Sequence, residues 1–101
     1  MNEEIEHGRV IVAVNRALLG EVCDSFRAIY LKVDEGTLYL HFIIDGTPSV
    51  GDIESIHEIG GETIADFTEL NVDEEWTTVD YPEKIEMPSG WEMVFLRKES
   101  R

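Results

Sequence analysis

Phe26-Arg27-Ala28-Ile29-Tyr30-Leu31-Lys32-Val33-Asp34-Glu35-Gly36-Thr37-Leu38-Tyr39-Leu40-His41-Phe42-Ile43-Ile44 is the stretch that decides the fold. Residues 26–33 and 37–44 each alternate in character, the period of a strand with two distinct faces. In the first run Ile29, Leu31 and Val33 share a face, opposite Ala28, Tyr30 and Lys32. In the second, Leu38, Leu40, Phe42 and Ile44 lie together, opposite Tyr39, His41 and Ile43. Asp34-Glu35-Gly36 supplies a short turn with a glycine free to take a left-handed position, so the two runs form a β-hairpin. Its second face carries tyrosines rather than charges alone and is expected to be partly covered, with His41 stacked against Tyr30 or Tyr39.

On the N-terminal side, residues 3–19 read as a helix. Val10, Val14, Ala17 and Leu18 recur at helical spacing, acids open the segment at Glu3, Glu4 and Glu6, and Arg16 stands near its end. That order of charge suits the helix dipole, and Gly20 is placed to cap it. The β-branched run Val10-Ile11-Val12 pulls the other way. On the C-terminal side, Asp45-Gly46-Thr47-Pro48 ends the hairpin, and Ser49 with Asp52 resembles a capping box. Ile53, Ile56, Ile64 and Phe67 then recur at helical spacing. Gly60-Gly61 interrupts this helix, which either packs closely there or bends, since each glycine costs about 1 kcal/mol relative to alanine. Trp76 to Tyr81 reads as a third strand and Trp91 to Arg97 as a fourth. The order α-β-β-α-β-β points to an α+β domain spanning residues 1–101: a four-stranded, mainly antiparallel sheet with helices packed on one face. Strand order is not legible.

The charge is distributed unevenly. The chain has 101 residues with 22 acids against 8 Lys and Arg, a formal net charge of −14. Its hydrophobic content of 43% is that of a globular protein, so the acidity does not signal disorder. Such a balance disfavours nucleic-acid backbones and anionic membranes as direct partners and favours a basic protein. Glu54, Glu58, Glu62 and Asp66 stand four residues apart on the helix face opposite the apolar stripe. Like charges at this spacing cost roughly 0.2–0.5 kcal/mol per pair. Glu69, Asp73, Glu74, Glu75, Asp80, Glu83 and Glu86 extend the acidic surface, around the two aromatics Trp76 and Tyr81. Aromatic anchors ringed by polar residues are typical of interface hot spots, although Trp76 fits a core position at a strand start equally well.

No catalytic constellation emerges. His7, His41 and His57 are far apart in sequence, and His57 beside Glu54 and Glu58 lacks the second histidine of a zinc helix. Cys23 is the lone cysteine and reads as a structural thiol in a reducing compartment. The glycines fit no phosphate loop, and no cofactor or metal is expected. The acidic N-terminus lacks a secretion signal's basic start and apolar run, and no stretch reaches the ~20 apolar residues of a membrane helix, so a cytoplasmic protein is expected.

Several strings in fixed order resemble a known family: Asn15-Arg16-Ala17-Leu18-Leu19-Gly20-Glu21-Val22, Phe26-Arg27-Ala28, Phe42-Ile43-Ile44-Asp45-Gly46, Ile64-Ala65-Asp66-Phe67, Asp80-Tyr81-Pro82 and Phe95-Leu96-Arg97-Lys98-Glu99. Together they are similar to small bacterial immunity proteins, including those of contact-dependent growth inhibition systems. Gly60-Gly61 departs from the Ala, Thr or Val expected there. The resemblance implies a non-enzymatic protein that binds and neutralises a cognate toxin C-terminal domain in the cytoplasm. Such toxins are often nucleases, RNase or DNase, with basic clefts that carboxylates could occupy. From the charge pattern, residues 50–70 and 73–83 are expected to make most of the contact. The competing readings are an acidic adaptor or regulatory domain binding another basic protein, and a small metal-binding protein.

Overall fold

The structure, a computed structural model, describes residues 3–86 and 88–99, with side chains from His7 onward; the side chains of Glu3, Glu4 and Glu6 lie outside it. Its elements are α1 (Glu3–Leu18), β1 (Phe26–Asp34), β2 (Thr37–Ile44), α2 (Val50–Ile64), β3 (Asn71–Thr78) and β4 (Glu92–Leu96). This is the expected α-β-β-α-β-β order in an α+β architecture. β1 and β2 form the hairpin, closed by Glu35 and Gly36 at φ of 49° and 77°. Two positive φ angles in a two-residue loop match the twist of the flanking strands.

The four strands run in the order β3-β2-β1-β4. β1 pairs antiparallel with β2 and with β4, but β2 and β3 are parallel. The sheet is therefore mixed: α2 carries the chain back along the helical face before β3 begins, and a parallel neighbour needs such a crossover. The third strand also begins earlier than the expected Trp76 to Tyr81 and ends at Thr78. Its first half, Asn71-Val72-Asp73-Glu74-Glu75, has little strand propensity. Pairing with β2 overrides that preference, from Thr37↔Asn71 through Ile44↔Thr78.

Both helices cover one face of the sheet. The main core joins Val10, Val14 and Ala17 of α1 and Ile56 and Ile59 of α2 to Ile29, Leu31, Leu38, Leu40, Phe42 and Ile44. Ile53 and Ile64 are only partly buried, and Phe67, though buried, lies beyond the end of α2. α2 opens on the full capping box: Ser49 Oγ accepts from the Asp52 amide at 3.0 Å, and Asp52 Oδ2 accepts from the Ser49 amide at 3.1 Å. The helix runs unbroken through Gly60-Gly61. Gly60 is a close-packing position, because a Cβ there would stand 1.7 Å from Glu74 Oε2, whereas one on Gly61 would meet nothing within 4 Å.

A bulge near the start of β1 sets up the rest. The register passes from Phe26↔Ile44 to Ala28↔Ile43, leaving Arg27 as the extra residue. That one-residue slip lets Phe26 and Ile29 both join the main core, and bulges re-aim side chains in this way. The opposite face is covered, as its tyrosines suggested. Ala28, Tyr30 and Ile43 are buried there against Val79, Ile85, Trp91 and Met93. Most of that cover is the 79–91 segment, a strap without helix or strand among its described residues. His41 meets Trp91 edge-on at 6.0 Å rather than stacking on Tyr30 or Tyr39, because Trp91 is folded over that face by the strap.

Candidate functional site

The acidic residues singled out from the sequence fall into three groups in space. Glu54, Glu58 and Glu62 are exposed along the outer face of α2, and no ion pair among the described residues engages them. The last turn of α2 contains no basic residue. Glu62 therefore also faces the negative end of the helix dipole, a second unrelieved repulsion. These three carboxylates are the part of the row that the helix does bring together.

Asp66 does not belong to that helical row. α2 ends at Ile64, with Ala65 as its C-cap. Asp66 lines a groove on α1 together with Arg9, Val12, Ala13 and Arg16. Arg9 sits 4.9 Å from the centre of the Phe67 ring in the same region. Cations that are distant in sequence thus stand near the fourth acid, which a reading of one helix could not reveal. Glu69 is exposed in the turn before β3.

β3 is an edge strand, and its alternation divides its acids. Asp73 and Glu75 share the strap-covered side with Tyr39 and His41, their register partners. Glu75 Oε1 is 2.9 Å from His41 Nδ1, and Thr77 Oγ1 is 2.8 Å from His41 Nε2. Glu74 points the other way, under α2, where its Oε1 lies 2.5 Å from His57 Nδ1. His57 is therefore occupied by a carboxylate of β3, not by its helical neighbours Glu54 and Glu58. Trp76 is 38% exposed at this edge, so it is not a core residue. Asp80 Oδ1 accepts from the Gly46 amide at 2.7 Å, which ties the start of the strap to the end of the hairpin.

A charged cluster that charge counting did not single out holds the strap's other side. Arg27 is 3% exposed. It donates to both oxygens of Glu99, at 2.7 Å and 3.0 Å, and to the Val79 carbonyl at 2.7 Å. Arg97 donates to Glu99 Oε2 at 2.9 Å, to Asp45 Oδ2 at 3.0 Å and to the Asp24 carbonyl at 2.8 Å. The Tyr81 amide donates to Asp45 Oδ1 at 3.1 Å, and the Tyr81–Pro82 peptide is cis. Hydrogen bonding to Arg27, reinforced by Arg97, brings the Glu99 carboxyl from 4.5 down to about 2. Arg97 and the Tyr81 amide likewise lower Asp45. Four of the strings that carry the family resemblance, around Arg27, Asp45, Tyr81 and Arg97-Glu99, meet here. The signal available in the sequence was an arginine inside a run of apolar strand residues.

Cys23 is half-buried, and burial raises its thiol pKa, as suits a structural residue. No group of three or more His, Cys, Asp and Glu placed to hold a metal ion occurs among the described residues. No helix among them is long and apolar enough to cross a membrane. A family model described as MafI2 immunity protein matches residues 7–99. No curated protein matches the chain.

Proposed function

This chain belongs to the MafI2 immunity protein family, and we propose that it neutralises its cognate toxin by docking the acidic face of α2 onto a basic surface of the toxin domain. Immunity proteins act by binding a toxin. The finer reading is that the toxin is a nuclease, RNase or DNase, met in the cytoplasm, and that carboxylates stand where substrate phosphates would lie. The observation that supports it is the row Glu54, Glu58 and Glu62, exposed, mutually repelling and without ion-pair partners among the described residues. A helix that only stabilised the fold would gain from a lysine in that row. A basic partner would relieve the repulsion on binding, and the protein's net charge of −14 would speed encounter with it.

Around this row, Glu69 and Trp76 form the rim, with Trp76 as the exposed aromatic of the adjoining sheet edge, while Asp73 faces the strap-covered side of that edge strand. Asp66, Glu74, Glu75 and Asp80 contribute less directly, since Glu74, Glu75 and Asp80 already serve internal partners and Asp66 lies beside α1. The inhibitor acts by occupancy and performs no chemistry.

The test is the triple variant E54K/E58K/E62K, measured against the purified C-terminal domain of the product of the gene immediately upstream. Association should slow at least tenfold at low salt, and its dependence on salt should flatten. Unchanged association and unchanged protection of cells would show that the row is a solvated face.

A further inference from the structure

The strap leaves a cavity of about 700 Å³ between itself and the second face of the sheet. Its sheet side is formed by Tyr30, His41, Ile43 and Thr77, and its strap side includes Ile85 and Trp91. This volume lies in the range of sites that bind small ligands or a short segment of chain. Carboxylates predominate around it: Glu75, Glu83 and Glu86 line the cavity, against Lys84. Sealed behind its sheet-side wall lies one unmet polar group. Tyr30 is 1% exposed, and its hydroxyl has no hydrogen-bond partner among the described residues. A buried hydroxyl left unpaired is destabilising, so such groups in a native fold call for a reason.

We propose that this cavity receives a loop of the toxin carrying an arginine, whose guanidinium is taken up among Glu75, Glu83 and Glu86 and donates to the Tyr30 hydroxyl oxygen. This rests on the immunity reading but on a different surface from the α2 face. Arginine fits better than lysine for two reasons. Its five donors can serve several acceptors at once, and its weaker hydration lowers the cost of entering a part-apolar site. Ile43, Val79 and Ile85 supply apolar contact for the aliphatic stem. In the free protein the hydroxyl is closed to water, so the loop reaches it by lifting the strap. The strap is tied at its start, where Arg27 holds Val79, Gly46 holds Asp80 and Asp45 holds Tyr81, so the part that lifts is residues 84–91, which form no helix or strand among the described residues.

The hydroxyl gives the test opposite signs in two measurements. Y30F removes an unpaired polar atom and leaves the ring, so the unfolding midpoint should stay or rise. If the toxin's guanidinium uses the oxygen, affinity for the purified toxin domain should fall about tenfold to a hundredfold, the loss of one hydrogen bond from a charged donor. T77W, which places an indole in the cavity, should weaken binding at least a hundredfold. One toxin arginine, replaced by alanine, should reproduce the Y30F loss and add nothing to it in the double variant. Binding by both protein variants within twofold of the original would overturn the proposal. So would a small organic molecule co-purifying with the original protein and absent from T77W. The outcomes separate the two surfaces: loss of binding in E54K/E58K/E62K with none in Y30F or T77W leaves the α2 face standing and removes the cavity.

Discussion

Replacing Gly60 by alanine puts a methyl group where Glu74 already is. The added Cβ would lie 1.7 Å from Oε2, 2.5 Å from Cδ and 2.9 Å from Cγ of that side chain. The Glu74 carboxylate must then leave its place under α2 and give up His57. That pair is half open to water, with His57 61% and Glu74 13% exposed, so its loss costs only about 0.2–1 kcal/mol. Reseating the Glu74 side chain in another rotamer at this packed position adds about 1–3 kcal/mol. Against this, alanine in place of a helical glycine gains about 1 kcal/mol. The balance predicts that G60A loses about 1–2 kcal/mol. Gly61 is the internal control: an added Cβ there meets nothing, so G61A should gain about 1 kcal/mol. Urea unfolding followed by circular dichroism measures both variants. The two should differ by about 2–3 kcal/mol, or more than about 10 °C in Tm for a domain of this size. In an E74A background the penalty should vanish and G60A should become stabilising. If G60A instead stabilises the unaltered protein as much as G61A does, Glu74 is not seated against the helix, and the account of the Gly60 position fails.

Three further outcomes follow from the same geometry. E62K removes the Glu58–Glu62 repulsion and places a cation at the C-terminal end of α2, so it should raise stability by about 0.5–1.5 kcal/mol while slowing toxin association, read by denaturation and stopped flow. S49A removes one arm of the capping box and should cost about 1 kcal/mol in the same unfolding assay. The Glu99 carboxyl titrates lower in the fold than its ordinary 4.5, so its contribution is complete above that pH and is lost as pH falls from 4.5 toward about 2. An acid series of unfolding midpoints should show that fall, and E99Q should be less stable at neutral pH with a flatter slope across this window. A slope unchanged by E99Q would mean that the Arg27 pair does not set it.

The hairpin was legible because alternation is a local property: each residue from Ile29 to Val33 and from Leu38 to Ile44 declares its face by position alone. The α2 cap was legible for the same reason, since Ser49 and Asp52 are three residues apart and satisfy each other's amides. The core stripe of α2 was only partly legible. Ile56 matched, but Ile59, Gly60 and Thr63 are buried where a glycine-interrupted pattern gave no strong period. The site divides in a similar way. Glu54, Glu58 and Glu62 could be placed together because one helix holds all three, while Asp66, on the same count, falls past the helix end and beside Arg9 and Arg16 of another element.

By itself, then, the sequence determined the element order, the hairpin, the helix start and the local crowding of negative charge on α2. Each depends on residues within a few positions of one another, where backbone geometry sets the neighbours. Tertiary structure alone decided that β3 lies parallel to β2, that Arg27 is bulged out to grip Glu99, that Gly60 makes room for Glu74, and that the strap borders a half-open cavity beside Tyr30. Each of these joins positions distant in the chain, and which distant groups meet is set by how the whole core packs.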